Sequence, residues 1–341
     1  MTILSKVKMH LEQNLPFVLY TLPNENRLCG FFQKENLLYN FTGQSGFVFV
    51  SFDGNKKYII PSTNSMFFEE RVRLDSKNIL EIENHFSKKD REYFEEIVLK
   101  AVDEIQNGDF EKVVLSRKIV LVKKVNLIET FSILINRYPT AFRYFFYHPQ
   151  IGCWMGATPE QLIKVENNHF ETVSLAGTHQ KNSFEKWSTK EIQEQQIVTD
   201  YILEAIHKET LSIKVTEPFT VEAGSIVHLK TIISGEVHSI ENTKKILENL
   251  HPTPAVCGFP KEKAIRFIFE NENYDRKFYA GYLGLWNEDE ASCNLFVNLR
   301  CLEVEENKIN IYVGCGITGE SDPEKEFFET EHKSQIMKSI L

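Results

Sequence analysis

Hydrophobic positions along the chain follow two different periods. Over 90–107, Phe94, Ile97, Val98, Ala101, Val102 and Ile105 recur at helical spacing and Gly108 supplies a stop, so a helix is predicted there. Leu4, Val7 and Leu11 form a weaker helical stripe. Short β-branched and aromatic runs at 17–20, 28–32, 47–52 and 57–60 are bounded by Pro, Asn and Gly and predict strands. The most strongly β-branched run starts at Lys112, and further strand patterns follow at 142–147, 154–157, 161–165 and 170–175. Helical patterns return at 188–209, 242–250 and 261–270, then strand patterns at 294–304 and 308–313, then a last helix at 323–340.

Long helices thus interrupt a strand-rich chain without a regular βαβα alternation, which predicts an α+β fold rather than a doubly wound sheet. No Gly/Ser/Pro-rich linker divides the 341 residues, so a single domain over 1–341 is expected. The composition is globular, with 42% hydrophobic and 26% charged residues. A formal net charge of -9 argues against a nucleic-acid binder. It leaves room for a small anionic substrate, because salt screens exposed charges beyond roughly 8–10 Å and a few cations in a cleft dominate locally. The six cysteines form no CxxC pair and lie among apolar residues, as buried thiols of a reducing compartment do. Lys6, Lys8 and Glu12 interrupt any leader-like apolar run near the start, and no segment reaches the ~20 apolar residues that span a bilayer. A soluble cytoplasmic protein is expected.

Several positions carry candidate chemistry. Glu191 and Glu194 are three apart on one predicted helix, on a face that continues through Val198, Tyr201 and Ala205. Glu326 and Glu329 repeat this on the last helix, with Lys333, Ile336 and Ile340 on the same face and Asp322-Pro323 as a helix start. Carboxylates on a buried stripe must be paired or bind a cation, and Mg²⁺ suits all-oxygen ligands; solvated helix charges are the plainer account. Gly314 and Gly316 let backbone approach a ligand, or simply make a tight turn. Glu160 follows a proline at a strand edge, where a surface carboxylate is also at home. Lys112 opens an apolar strand: a solvated strand end, or a base if desolvated. Arg300 and His228 sit in apolar strand patterns, where an ion pair or a hydrogen-bonded core histidine competes with a substrate contact. The first 85 residues show no chemical constellation. These residues alone imply a soluble α+β enzyme, Mg²⁺-dependent, acting on a small anion.

Taken in order, KVVLSR (112–117), GATPEQL (156–162), LAGT (175–178), KEIQE (190–194), HL (228–229), LHPTPAVCG (250–258), DRKFYAG (275–281), LR (299–300), GCGI (314–317) and SDPEKEFFETEHK (321–333) resemble the chorismate-utilising enzymes. The resemblance covers about 95–341, while 1–90 resembles only the variable N-terminal part of that family. It implies a large antiparallel β-sandwich with helices packed outside. It implies that Lys112 activates water for attack at ring C2 and that Glu160 protonates the leaving C4 hydroxyl. Glu194 and Glu329 correspond to direct Mg²⁺ ligands, with Glu191 and Glu326 reaching the ion directly or through water. Arg300, Tyr279 and Gly314 correspond to contacts with the enolpyruvyl carboxylate of chorismate, and Gly177, Thr178, His228, Gly316 and Lys333 to other pocket positions. Lys112 favours water over ammonia as nucleophile. Ala176 stands where aminodeoxychorismate synthases place a nucleophilic lysine. The resemblance therefore implies an isochorismate synthase serving menaquinone or siderophore synthesis, with salicylate synthase as the alternative. It implies a monomer with no membrane or nucleic-acid partner. Gln195 departs from the histidine that many members carry there, with only a local effect expected.

Overall fold

A computed structural model of the chain describes residues 2–72, 86–180, 186–223 and 226–341. Seven α-helices occur among them: α1 (Ile3–Glu12), α2 (Lys88–Gln106), α3 (Leu127–Arg137), α4 (Thr189–Ile206), α5 (Ile240–Leu250), α6 (Lys261–Asn271) and α7 (Pro323–Lys338). Six have side-chain N-caps. Thr2, Ser87, Asn126, Ser188, Ser239 and Asp322 each accept a hydrogen bond from a first-turn N–H, satisfying donors that the helix leaves open. No described helix is long and apolar enough to cross a membrane.

The strands form two antiparallel sheets. In spatial order the first runs Gly258–Phe259, Lys112–Leu121, Lys308–Ile317, Cys301–Glu305, Gly152–Thr158, Phe142–His148, Phe17–Thr21, Arg27–Gln33 and Ser65–Arg71. The second runs Thr210–Val215, Ile226–Val237, His169–Gln180, Gln161–Glu166, Ser292–Val297, Tyr282–Asn287, Gly46–Val50, Lys57–Pro61 and Tyr39–Asn40, with Phe219–Ala223 paired to Ile226–Val237. Each sheet takes three strands from the first 72 residues, so the N-terminal part completes both layers.

Both faces of the first sheet's central strands are buried, and the alternation along them shows why. Phe142, Tyr144 and Phe146 point into the core between the sheets, while Phe145 points to a second core with Phe131 and Leu134 of α3, Val7 of α1 and Met337 of α7. Val18 and Tyr20 face the first core; Phe17 and Leu19 face the second. Between the layers Phe142 stacks on Phe296 at 4.3 Å and Phe49 on Phe278 at 4.3 Å. Each fully buried Phe contributes about 1.5–3 kcal/mol, so these rings fix the spacing of the sandwich.

The α+β sandwich matches the sequence expectation, and all six cysteines are buried and free. Two readings need correction. Arg300 does not lie within a strand: the predicted 294–304 run divides into Ser292–Val297 in the second sheet and Cys301–Glu305 in the first. Arg300 occupies the crossing between them with φ 47°, a conformation that costs a non-glycine residue energy. Gly314 and Gly316 lie not in a loop but inside the Lys308–Ile317 strand, opposite Ser116 and Val114.

Candidate active site

Two crossings between the sheets run side by side and carry the acid and the guanidinium. The first sheet's Gly152–Thr158 strand leads through Pro159 and Glu160 into Gln161–Glu166 of the second. The Arg300 crossing lies against it: Ala157 N donates to Arg300 O (3.0 Å), Val297 N to Glu160 O (3.0 Å) and Thr158 Oγ1 to Val297 O (2.6 Å). A third turn, carrying Tyr279, joins through Asn298, whose Nδ2 donates to Phe278 O (2.9 Å) and whose Oδ1 accepts from Tyr144 Oη (2.7 Å). Ladder bonds and buried amides thus hold three functional side chains on short turns.

Together they border a cavity of about 1010 Å³. Its wall brings together Lys112, Glu160, Gly177, His228, Tyr279, Arg300, Gly314, Gly316, Glu329 and Lys333. The two glycines make room for their neighbours. A Cβ at Gly314 would lie 2.9 Å from Tyr279 Oη and 2.7 Å from Leu115 O; one at Gly316 would lie 3.0 Å from Lys112 Cε. Gly177, with φ 68°, passes under the Trp187 ring, 2.6 Å from where a Cβ would stand. The carbonyl of Gly177 lies 2.9 Å from Nδ1 of His228.

The electrostatics of the wall are uneven. Burial pushes the Glu160 carboxyl up to about 7, although Arg300, Lys112 and Lys333 all favour its charged form. With its pKa near neutrality it stays partly protonated at neutral pH, as a general acid must. Burial lowers the pKa of His228, and Arg300 and Lys333 reinforce this, so a neutral imidazole faces the cavity. Burial also lowers Arg300, opposed by Tyr279, Tyr138, Glu329 and Glu160. Lys333 Nζ donates to Gly314 O (2.9 Å) and Glu329 Oε1 (2.6 Å), bridging α7 to the strand below.

The four expected metal-site carboxylates are not alike. Glu326, half-buried, is pushed up mainly by burial, with Glu329 nearby adding to the effect. Two hard-oxygen donors that repel each other suit a divalent cation. Glu191 is occupied otherwise: it completes the capping box with Ser188 and pairs with His179 Nε2 at 2.7 Å. The side chains of Glu194 and Thr178 lie outside the described residues. Among the described residues no group of three or more His, Cys, Asp or Glu is assembled for a metal.

Neither carboxylate helix buries quite the face expected. On α4 the buried positions are Gln195, Val198, Thr199, Ile202 and Ile206, with Tyr201 and Ala205 only partly covered. On α7 they are Phe327, Thr330, Glu331, Ser334, Met337 and Lys338, which leaves Glu329 and Lys333 turned to the cavity. Sequence reasoning also missed Tyr312, Lys325, Phe328 and His332 on the cavity wall. Tyr312 stacks on Tyr279 at 5.6 Å and belongs to a strand-face alternation that marks core and cavity alike.

Known proteins resemble this chain in sequence and in fold. The chain is 28% identical over 261 residues to the isochorismate synthase EntC of Escherichia coli K12, covering 73% of this chain and 66% of that one. It is 32% identical over 195 residues to the isochorismate synthase DhbC of Bacillus subtilis, covering 54% and 49%. The match thus spans about half to two thirds of these relatives' lengths. Over the whole fold it superposes on the crystal structure of a 2,3-dihydroxybenzoate-specific isochorismate synthase from Bacillus anthracis with a TM-score of 0.80 at 23% identity, covering 98% of each chain. The sequence profile of the chorismate binding enzymes matches residues 56–341, and the chain belongs to that family.

Proposed function

We propose that the protein is an isochorismate synthase, converting chorismate to isochorismate with Mg²⁺. The observation that carries this reading is a lysine and a protonatable buried carboxyl, Lys112 and Glu160, on the wall of one cavity whose cations suit a dianionic substrate. In the proposed reaction Lys112 takes a proton from water as its oxygen attacks ring C2. The ring double bonds shift, and Glu160 gives its proton to the departing C4 hydroxyl, which leaves as water. Arg300, Tyr279 and the Gly314 backbone hold the enolpyruvyl carboxylate. Glu326 and Glu329, with Glu194 and Glu191 from α4, are the candidate Mg²⁺ carboxylates. The ion, when bound, supplies charge neutralisation of the ring carboxylate.

The test is product analysis by chromatography with purified protein and chorismate, with and without Mg²⁺. Mg²⁺-dependent isochorismate without pyruvate is the expected result. Salicylate with stoichiometric pyruvate would replace the reading with a salicylate synthase, and no conversion would overturn the roles of Lys112 and Glu160.

A further inference from the structure

A second and much smaller pocket of about 20 Å³, enough for one water molecule, shares Glu160, Leu175 and Ala255 with the main cavity. Glu160 borders both spaces. The small pocket is otherwise mostly apolar, walled by Leu162, Val173, Leu175, Val198, Ile202 and Leu250. Gln161, whose Nε2 donates to Asn294 Oδ1 (2.8 Å), and two hydroxyls break that wall. Thr172 Oγ1 donates to Leu162 O (2.7 Å) and keeps its lone pairs. Thr253 Oγ1 is buried and has no hydrogen-bond partner among the described residues.

Leaving a buried hydroxyl unpaired costs about 1–3 kcal/mol, and valine would fill the same volume without that cost. The backbone fixes Thr253 in place: its carbonyl accepts from Val256 N and Cys257 N, both at 3.0 Å. The same segment is anchored by Lys261 Nζ, which donates to His251 O (2.7 Å), and by His251 Nε2, 3.0 Å from Ser51 O. The hydroxyl thus borders the same small pocket as Glu160, in the HPTPAV segment to which the proposed mechanism assigns no role.

We infer that Thr253 is a positioning residue for the general acid, its hydroxyl holding one water in the small pocket that donates a hydrogen bond to the Glu160 carboxyl. This deepens the isochorismate synthase reading and rests on it. A donor on one carboxyl oxygen leaves the acidic proton on the other. It also stabilises the carboxylate formed when that proton leaves, making Glu160 a stronger acid than burial alone allows. The charged groups facing Glu160 from the main cavity are Arg300, Lys112 and Lys333, and each favours the carboxylate as well.

The test compares wild type with Thr253→Val, Thr253→Ala and Thr253→Ser. Carboxyl ¹³C NMR follows the titration of Glu160, assigned by its loss in Glu160→Gln. In Thr253→Val and Thr253→Ala the midpoint is expected to move up by about one pH unit, the size of one lost hydrogen bond to a charged group. Thr253→Ser keeps the wild-type midpoint. With chorismate, Thr253→Val should lose about tenfold in kcat with KM nearly unchanged, and Thr253→Ser should retain kcat. A merely structural threonine predicts a Thr253→Val protein of equal or higher Tm with an unmoved Glu160 titration, and that result would overturn the inference. Wild-type protein that fails to convert chorismate would overturn the function reading instead, and the titration, which needs no turnover, still decides the role of Thr253.

Discussion

A Cβ at Gly316 would meet the side chain of Lys112, 3.0 Å from Cε and 3.6 Å from Nζ. The lysine is flexible enough to yield, so Gly316→Ala should displace the base and leave the fold alone. A displacement on the order of 1 Å at a reacting group costs about 100-fold. We expect kcat to fall by roughly 10- to 100-fold with Tm within a few degrees of wild type. Gly314→Ala is the contrasting case: its Cβ would meet the backbone oxygen of Leu115 at 2.7 Å, which cannot move cheaply. That variant should lose about 1–3 kcal/mol in denaturant unfolding. Lys112→Ala should abolish turnover with its circular dichroism unchanged; wild-type activity in it would sink the proposed mechanism. At this scale the sequence named residues better than places. Lys112, Glu160, Arg300 and Gly316 share one wall, yet local pattern alone left each with a bland alternative, because a cavity wall and a core wall carry the same strand alternation. What distinguishes them is the crossing of chain between two sheets at 158–161 and 297–301, a tertiary fact with no local signature.

Helix α7 carries Glu326, Glu329 and Lys333, and its attachment decides where they point. Its inner face carries polar groups beside Phe327 and Met337. Arg117, from the strand that begins with Lys112, donates Nε to Thr330 Oγ1 (2.6 Å), pairs with Glu331, and stacks over Phe327 at 4.4 Å. Lys338 Nζ closes the network on Glu331 Oε2 (2.9 Å). Glu331 is 1% exposed, so its removal strands two cations in the interior. Breaking one partner of such a pair costs about 3–5 kcal/mol. Glu331→Ala should therefore lower the midpoint of urea unfolding strongly. Where folded, it should raise the KM for chorismate and the Mg²⁺ requirement together, because α7 supplies both contacts. A destabilised variant with unchanged KM would show that α7 keeps its register without the network. The sequence reading put the buried stripe of α7 on the carboxylate face through Ile336 and Ile340. Ile340 is buried and Ile336 partly so, but the helix also buries Thr330, Glu331, Ser334 and Lys338 beside Phe327 and Met337, and these polar members blur the apolar periodicity. Helix α3 escaped notice for a related reason: Leu127–Arg137 is rich in Leu, Ile and Phe, and a short apolar run does not distinguish helix from strand.

Across the whole molecule, opposing titrations tie stability to pH. His251 joins the Thr253 segment to the first 72 residues through Ser51 O, and burial holds its pKa at about 4 against an ordinary 6.5. Because the folded state resists the proton, the unfolded chain binds more protons between those values. Stability therefore falls as pH drops from about 6.5 to about 4, by about 3 kcal/mol for this one group. Burial lowers His10, His148 and His228 in the same direction. Glu160 acts oppositely: its folded pKa of about 7 exceeds the ordinary 4.5, so stability is lost as pH rises from about 4.5 to about 7. The two slopes partly cancel in the wild type, and single variants should separate them. In urea unfolding from pH 4.5 to 8, His251→Gln should show a shallower loss on the acid side. Glu160→Gln, inactive, should be more stable than wild type at pH 7 and above and should steepen the acid-side fall, since the compensating carboxyl is gone. Parallel pH curves for all three proteins would mean that neither group is held away from its ordinary pKa. The acid that the proposed reaction needs would then have to be sought elsewhere on the cavity wall.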